Sequence, residues 1–304
     1  MNYKKVQSEN GDYRIAAFTN NQWQLVNTEL DFFDFILEEK TLNDIQFMNF
    51  DDDTYRDVIP FQPSAYRDFM LFEKHYIDAS RGFVRKYMPR ALPIIKTYES
   101  LFKKPFPKLK PKKRYYEHPI YYMGNHLNFF THGDPVKIPT YTKELDYELE
   151  IAAVISKPLK NASLEEVADA IAGFVILNDF SARDVQMSEM ESGFGPMKSK
   201  NFGNAISSAF APKHLLINKL DRLNTKVIIN DKTIAKGFTE NMYYSMQQAI
   251  AYASWEEQLH PYELFGSGTI PGCTGIENGV MLNVGDKITL EVEGIGQLTN
   301  KVVA

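Results

Sequence analysis

The sequence predicts a β-rich α+β protein with a small N-terminal domain, and three observations support this. Beyond residue 140, short runs of apolar and β-branched residues recur as in strands, with two helix-like segments among them. Residues 12–26 have the pattern of a short hairpin. The chain has 304 residues, of which 44% are hydrophobic and 13% aromatic, so it has enough apolar side chains for a substantial core.

The N-terminal domain is predicted to cover residues 1–60. Its hairpin turns at Asn20 and Asn21, and the following segment ELDFFDFILEE has the apolar spacing of a short helix. The acidic run FDDDTYRDVIPFQP then closes the unit, because its two prolines, at 60 and 63, are poorly compatible with a helix or a central strand. Residues 61–304 form the second predicted domain.

The second domain is predicted to be built mainly from strands. Its strand-like runs are YELEIAAVI, GFVILND, KVIIN and KITLEVEG. A helix is predicted between the first two, because Ser163 and Glu166 have capping-box spacing and Gly173 is a natural C-terminal stop. A second helix is predicted over residues 241–259. The Lys- and Pro-rich residues 103–119 predict an exposed loop.

Composition argues against several classes of partner. The net charge of -5 comes from interspersed acids and bases, so no basic surface is indicated and we expect no nucleic-acid partner. Cys273 is the only cysteine, which excludes an internal disulfide and suits a reducing compartment. The N-terminus has no apolar leader core and no apolar run approaches about 18 residues, so we expect a cytoplasmic protein with no membrane partner.

The stretch LDYELEIAAVI places three acids at alternate positions. In a strand, Asp146, Glu148 and Glu150 would share one face, with neighbours roughly 7 Å apart. Two charges at that distance repel by about 2 kcal/mol at an effective dielectric near 20. An exposed acidic face would tolerate this repulsion, whereas a half-buried one requires a cation, and the segment alone fits both interpretations.

Further acids favour the cation. Asp179 ends an apolar strand in GFVILNDFSARD, and YRDFMLFEKH contains Asp68 with His75 seven residues later. Together with the two glutamates, these aspartates provide oxygen donors from three segments, which suits Mg²⁺, Ca²⁺ or Mn²⁺. Zinc is disfavoured, because cysteine and histidine are not clustered with ligand spacing.

These segments resemble the fumarylacetoacetate hydrolase family. The matching pieces occur in family order over roughly residues 60–302: RDFMLFEKH, YYMG, LDYELEIA, NDFSARDVQ, SKNFG, SGTI and VGDKITLEVEGIGQLTNKV. The most specific pair is DYELE followed by NDFSARDVQ. The resemblance implies a mixed β-sandwich roll with a buried metal at its mouth, a small N-terminal domain and a homodimer.

The resemblance also implies roles for individual residues. It implies four metal ligands: Asp68, Glu148, Glu150 and Asp179. His75 would be the general base that activates water, and Lys200 would stabilise the developing oxyanion. The implied substrate contacts are Tyr122, Gln186, Gly203 and Thr269. Asp146 would then have a structural role, and Arg183 would pair with nearby acids.

Other positions depart from the pattern of the animal enzymes. Met70 and Met190 stand in place of substrate-contacting tyrosines, and Val84 stands in place of a carboxylate-binding arginine. Arg81 and Arg85 lie close by, and Arg85 is the one we expect to contact the substrate. Counting from Thr269 places Asn283 where the glutamate that pairs with the catalytic histidine is expected. Glu277 lies nearby and is our predicted partner of His75; alternatively Asn283 orients the base, or the water is activated differently.

The resemblance implies a metal-dependent hydrolase that cleaves a carbon–carbon bond in a 1,3-diketo acid, either fumarylacetoacetate-like or acylpyruvate-like. The expected ion is Mg²⁺, with Ca²⁺ and Mn²⁺ as alternatives. Two other interpretations stay open: an isomerase, decarboxylase or lyase acting on a related oxo-acid, and a ligand-binding member with altered catalysis.

Overall fold

The computed structural model describes residues 1–38, 44–51 and 54–304. The strands in these ranges are β1 (Tyr3–Ser8), β2 (Tyr13–Thr19), β3 (Gln22–Val26), β4 (Phe47–Met48), β5 (Tyr55–Asp57), β6 (Ala65–Phe69), β7 (Tyr121–Gly124), β8 (Phe129–Phe130), β9 (Pro135–Lys137), β10 (Leu145–Asp146), β11 (Leu149–Ile155), β12 (Ile171–Asn178), β13 (Ser181–Ala182), β14 (Asn204–Ile206), β15 (Ala209–Pro212), β16 (Asn224–Ile229), β17 (Lys232–Phe238), β18 (Glu263–Gly266), β19 (Lys287–Val292) and β20 (Gly296–Val303). The α-helices are α1 (Phe32–Leu37), α2 (Glu73–Tyr87), α3 (Leu92–Phe102), α4 (Lys113–Glu117), α5 (Leu164–Ala170), α6 (Arg183–Glu191), α7 (Lys213–Leu216), α8 (Met246–Ala253) and α9 (Gly275–Asn278).

Two main sheets carry the fold. The larger has the strand order β4-β3-β2-β1-β15-β12-β11-β18-β6-β7, with β14, β8 and β5 attached at its side. The second has the order β17-β16-β19-β20-β9, and β10 pairs with β13 in a small ribbon. This strand-rich mixture of sheets and helices confirms the predicted β-rich α+β class.

The N-terminal hairpin is confirmed. β2 and β3 are antiparallel, and Asn20 and Asn21 have positive φ angles of 51° and 61° in the turn between them. The short helix α1 is also present, although the last residue of its predicted segment, at 39, and residues 52 and 53 of the acidic run lie outside the described residues. β1 was not anticipated; it pairs with β15, Tyr3 lying opposite Phe210, and the predicted boundary at residue 60 stays a prediction.

The predicted helices of the second domain are found in part. Ser163 and Glu166 form a reciprocal capping box at the start of α5, as expected. The helix ends at Ala170, however, and the predicted stop Gly173 is wrong, because this glycine lies inside β12. A Cβ at this position would lie 2.3 Å from the carbonyl oxygen of Ala211, so the glycine serves close strand packing.

Two further expectations need correction. The helix predicted over residues 241–259 is limited to α8, which begins only after its N-cap Ser245. Residues 103–119, predicted as a loop, contain the short helix α4 and a 3₁₀ turn at Pro107–Leu109.

The centre of the larger sheet is completely buried. Every residue of β11 and of β12 is buried, and the two strands pair with Glu150 opposite Leu177. The strand predicted from Tyr147 begins two residues later, at Leu149, and Asp146 belongs to β10, so the three acids do not share one continuous strand. Asp146 and Glu148 are buried as well, so this acidic stretch is not an outer face.

None of the helices in the described ranges has the length and apolar character needed to cross a membrane.

Candidate active site

Three buried carboxylates meet at the ends of neighbouring strands. Asp68 lies in β6, Glu150 lies in β11, and Asp179 directly follows β12. One carboxylate oxygen from each lies within 4.8 Å of the others. The strands that carry them are adjacent or separated only by β18, so sheet pairing brings distant parts of the chain to one point.

This acidic triad, Asp68, Glu150 and Asp179, is electrostatically unfavourable without a cation. Burial, and then the charge of Asp179, raise the pKa of Asp68 well above its ordinary value. Burial, and then the charges of Asp68 and Asp179, do the same to the pKa of Glu150. Among the described residues, Oδ1 of Asp68 has no hydrogen-bond partner although it is buried. A buried anionic oxygen of this kind is costly unless a proton or a positive charge satisfies it.

The backbone beside the triad leaves space for these carboxylates. Gly266 of β18 pairs with Asp68, and a Cβ on it would lie 2.3 Å from Oδ1 of Asp68 and 2.9 Å from Oε2 of Glu150. The sequence patterns did not single out Gly266. Its backbone cradle, the unsatisfied oxygen and the all-oxygen donor set fit a hard divalent cation.

Glu148, the fourth predicted ligand, is held by two cationic side chains. Its Oε2 accepts a hydrogen bond from Nζ of Lys200 at 2.5 Å, and its Oε1 accepts one from Arg183. Burial opposes the ionisation of Glu148, but chiefly the charges of Arg183 and Lys200 outweigh it and lower the pKa. Whether Glu148 also binds a metal stays a prediction.

Lys200 bridges Glu148 and the triad. Its ammonium group also donates to Oδ2 of Asp179. Burial would lower the pKa of Lys200, but the charges of Asp179 and Glu148 outweigh this effect and raise it. Lys200 therefore stays positively charged in the interior, where a cation acts strongly on nearby negative charge.

Two predicted substrate contacts lie against the triad. The hydroxyl of Tyr122 donates to Oδ1 of Asp179 at 2.8 Å. The hydroxyl of Thr269 lies 3.5 Å from Oε1 of Glu150, and the amide of Gly268 donates to Oε2 of the same residue at 3.0 Å. These groups orient the carboxylates, and a role in binding substrate stays a prediction for both side chains.

The other predicted contacts have different surroundings. Oε1 of Gln186 accepts a hydrogen bond from Nη1 of Arg183 at 2.7 Å. At Gly203 a Cβ would lie 2.4 Å from the ring of Phe130, and φ is +156°. Nη2 of Arg85 donates to the backbone carbonyl oxygens of Ile276 and Glu277. Contact of any of these residues with substrate stays a prediction.

His75 and Glu277 form a buried pair. His75 lies in the first turn of α2, and Glu277 lies in α9. Nδ1 of His75 is 2.5 Å from Oε1 of Glu277, and the two side chains are only 4% and 6% exposed. Oε2 of Glu277 accepts from the amide of Gly272 at 2.7 Å. Such a contact fixes the orientation and tautomer of the imidazole.

The structure therefore distinguishes the two candidates for the partner of His75. Asn283 is exposed, and its side-chain amide lies 3.4 Å from the carbonyl oxygen of Met281 and 3.5 Å from Asp286. Glu277 is brought to the histidine, whereas Asn283 lies in a surface turn.

Asp146 binds the N-terminal end of α9. Its Oδ1 accepts from the amide of Gly275 at 2.7 Å, and its Oδ2 accepts from the amide of Ile276 at 2.8 Å. Nε of Arg183 donates to the same Oδ2 at 2.7 Å, and the hydroxyl of Thr274 lies 3.2 Å from it. The sequence analysis missed Thr274, because nothing in the local spacing indicates that it lies beside Asp146.

Comparison with known proteins settles the family. Residues 99–303 match the family model described as "Fumarylacetoacetate (FAA) hydrolase C-terminal", which is more than half of the chain. The chain belongs to the fumarylacetoacetate hydrolase family. Asp68 and His75 precede the matched residues, so their place in the site rests on the motif resemblance and on the tertiary structure.

The chain is similar to one relative that is described as uncharacterized and to two enzymes whose named activities differ. An uncharacterized protein of Pyrococcus abyssi is 30% identical over 190 residues, 62% of this chain and 81% of that protein. A mitochondrial oxaloacetate tautomerase of Xenopus laevis is 32% identical over 174 residues, 56% of this chain and 54% of that enzyme. The homoprotocatechuate catabolism bifunctional isomerase/decarboxylase of Escherichia coli is 28% identical over 169 residues, 55% of this chain and 36% of that enzyme.

A solved structure shares the fold over the whole chain. The fumarylacetoacetate hydrolase of Exiguobacterium antarcticum superposes with a TM-score of 0.73 and 18% identity, covering 100% of this chain and 99% of that one. This likeness confirms the predicted fold of the family and carries no conclusion about substrate.

Proposed function

We propose that this family member is a divalent-metal-dependent hydrolase that cleaves a carbon–carbon bond in a 1,3-diketo acid. The observation that carries the proposal is the buried contact of Nδ1 of His75 with Oε1 of Glu277 at 2.5 Å. A general base oriented by a carboxylate is what activation of water requires, whereas an ion-binding protein has no need of one.

Each of these residues then has a definite task. A cation held by the triad, with Mg²⁺ as the expected ion, supplies Lewis-acid stabilisation of the negative charge that develops on the substrate oxygens. Oε1 of Glu277 accepts a hydrogen bond from Nδ1–H of His75, which keeps the proton on Nδ1 and leaves Nε2 free to take one from water. Attack of that water on a carbonyl carbon gives an oxyanion, which the buried ammonium of Lys200 can stabilise. Cleavage leaves the electron pair on the departing carbon as an enolate, which protonation converts to product.

The test is loss of the ultraviolet absorbance of diketo acids in the presence of Mg²⁺ or Mn²⁺. We expect EDTA to abolish turnover and His75→Ala to lower kcat at least about a hundredfold, since general-base catalysis typically contributes that much. His260→Ala, at an exposed histidine, is the matched control and should leave turnover unchanged. Absence of turnover across short acylpyruvates and fumarylacetoacetate would reject the proposal.

A second candidate is an isomerase, tautomerase or decarboxylase of a related oxo-acid. It is favoured by the sequence similarity to the tautomerase and to the bifunctional isomerase/decarboxylase. Product mass spectrometry separates the candidates. Hydrolysis adds the mass of water across a broken bond, isomerisation leaves the mass unchanged, and decarboxylation removes carbon dioxide.

We further propose a homodimer, which light scattering coupled to size exclusion would test. The expected absence of nucleic-acid and membrane partners and the cytoplasmic location stay predictions.

A further inference from the structure

We propose that Asp146 and Arg85 are positioning residues that hold helix α9 from its two ends, so that Glu277 meets His75. The inference rests on the proposed function, because it assigns these two residues a role in the reaction through that pair. It also gives Arg85 a different task from the substrate contact expected from the sequence.

Helix α9 cannot set its own position. It has four residues, and its helical hydrogen bonds run from the amide of Asn278 to the carbonyl of Thr274 at 3.2 Å and from Gly279 to Gly275 at 2.7 Å. Isolated helices of this length do not form in water, because nucleation costs more than one or two hydrogen bonds return. The orientation of Glu277 must therefore come from tertiary contacts.

Asp146 supplies the contact at the N-terminal end. Its carboxylate accepts from the first two amides of α9, those of Gly275 and Ile276, and from the amide of its own neighbour Tyr147 at 2.7 Å. A buried carboxylate that accepts several amide protons is a strong and directional anchor, since charge-assisted bonds are roughly twice as strong as neutral ones. Free amides at the start of a helix are also where a negative charge is most stabilising.

Arg85 supplies the contact at the other end. Its Nη2 donates to the carbonyl oxygen of Ile276 at 2.9 Å and to that of Glu277 at 2.8 Å. The carbonyl groups of a helix point towards its C-terminal end, where a cation is favoured. Arg85 lies on α2, the helix that carries His75, so this contact ties the two catalytic elements directly to each other.

The anchor is continuous with the acidic centre. Arg183 joins Asp146 to Glu148, and Lys200 joins Glu148 to Asp179 of the triad. A single buried network therefore connects the placement of α9 with that of the triad.

The experiment compares Arg85→Met, Arg85→Lys and the control Arg90→Met, an exposed arginine just beyond α2. We expect Arg85→Met to lower kcat about ten- to a hundredfold with little change in KM, because small misplacement of a catalytic group is costly. One nitrogen of Arg85 makes both contacts, so the lysine variant should restore most of the activity. Binding of Mn²⁺ should be unchanged in all three.

Hydrogen exchange gives a readout that does not depend on turnover. Amide exchange of the peptide spanning residues 272–280 should become about tenfold faster in Arg85→Met and stay unchanged in Arg85→Lys and Arg90→Met, since local opening reflects the lost hydrogen bonds. Asp146→Asn, which puts an amide donor against backbone donors, should show the same acceleration.

Two results would overturn the inference: a raised KM with unchanged kcat in Arg85→Met, which indicates a substrate contact, or unchanged exchange in residues 272–280. Failure of the proposed function looks different. His75→Ala would then stay active while Arg85→Met still accelerates exchange, which supports the anchoring of α9 and rejects the base.

Discussion

Replacing Gly82 by alanine should separate α2 from α9 and thereby weaken the contact between His75 and Glu277. Gly82 lies in α2 where the two helices pack, and a Cβ there would lie 2.2 Å from the carbonyl oxygen of Ile276 and 2.9 Å from its carbonyl carbon. An ordinary contact needs about 3.4 Å or more, so the helices must move apart by about 1 Å. The obstacle is backbone, which cannot rotate away as a side chain would.

The size of the effect follows from two opposing contributions. Glycine to alanine in an exposed helix would stabilise the protein by about 1 kcal/mol. Overpacking a well-filled contact costs about 1 to 3 kcal/mol. We therefore expect a net loss of about 1 kcal/mol, which lowers Tm by about 2 to 4 °C in a protein of this size. Displacement of Glu277 by about 1 Å should lower kcat by about a hundredfold.

Thermal unfolding and steady-state kinetics measure the two effects on the same preparation. Ser80→Ala, on the same helix, is the control and should change neither Tm nor kcat appreciably. A Tm that rises by several degrees with unchanged kcat would refute the reasoning, because it would show that α9 moves freely with respect to α2.

Three further predictions concern the buried groups. Asp68→Asn and Glu150→Gln should each weaken Mn²⁺ binding at least about tenfold in calorimetry, since each removes a charged oxygen ligand. The control Asp169→Asn, at an exposed aspartate, should leave the affinity unchanged. Equal affinities in all three variants would contradict the proposed metal site. Because burial raises the folded-state pKa of Asp68 and Glu150 above the unfolded values, these groups make the metal-free protein less stable as pH rises above about 4.5. Mg²⁺ should therefore raise Tm more at pH 8 than at pH 5.5, and the reverse order would reject the assignment. Burial raises the pKa of Cys273 to about 12, so a disulfide reagent should not modify the native protein at pH 8 within minutes. The same reagent should react once urea unfolds the protein. Rapid labelling of the native protein would be inconsistent with a buried thiol.

Local patterns determined several elements from the sequence alone. The capping box of Ser163 and Glu166 and the hairpin at Asn20 and Asn21 need only neighbouring residues, so their spacing is sufficient to predict them. The same locality explains the misplaced stop at Gly173. That glycine is demanded by close approach of a strand from elsewhere in the chain, and no local signal distinguishes this from a helix end.

The residue types of the site could also be predicted, and the carboxylates of the triad were all chosen from the sequence. Sequence spacing did not indicate how the positive groups are shared among the acids. Glu148 and Glu150 look equivalent in DYELE, yet one is bound by Lys200 and Arg183 while the other belongs to the triad. That difference arises because Glu148 lies just before the start of β11, whereas Glu150 lies inside it. Lys200, which binds Glu148, belongs to a loop that is distant in the sequence.

The β-rich class, the family motifs and the set of acids and bases available for chemistry could all be predicted from the amino-acid sequence, because they depend on composition and on short-range order. The contact of His75 with Glu277 instead of Asn283 depends on how distant elements pack. That choice depends on the backbone of α9 packing against Gly82 and on anchors from Asp146 and Arg85, residues more than 100 positions away in the chain. Contacts of that range are set by the packing of whole elements, and no window of sequence contains them.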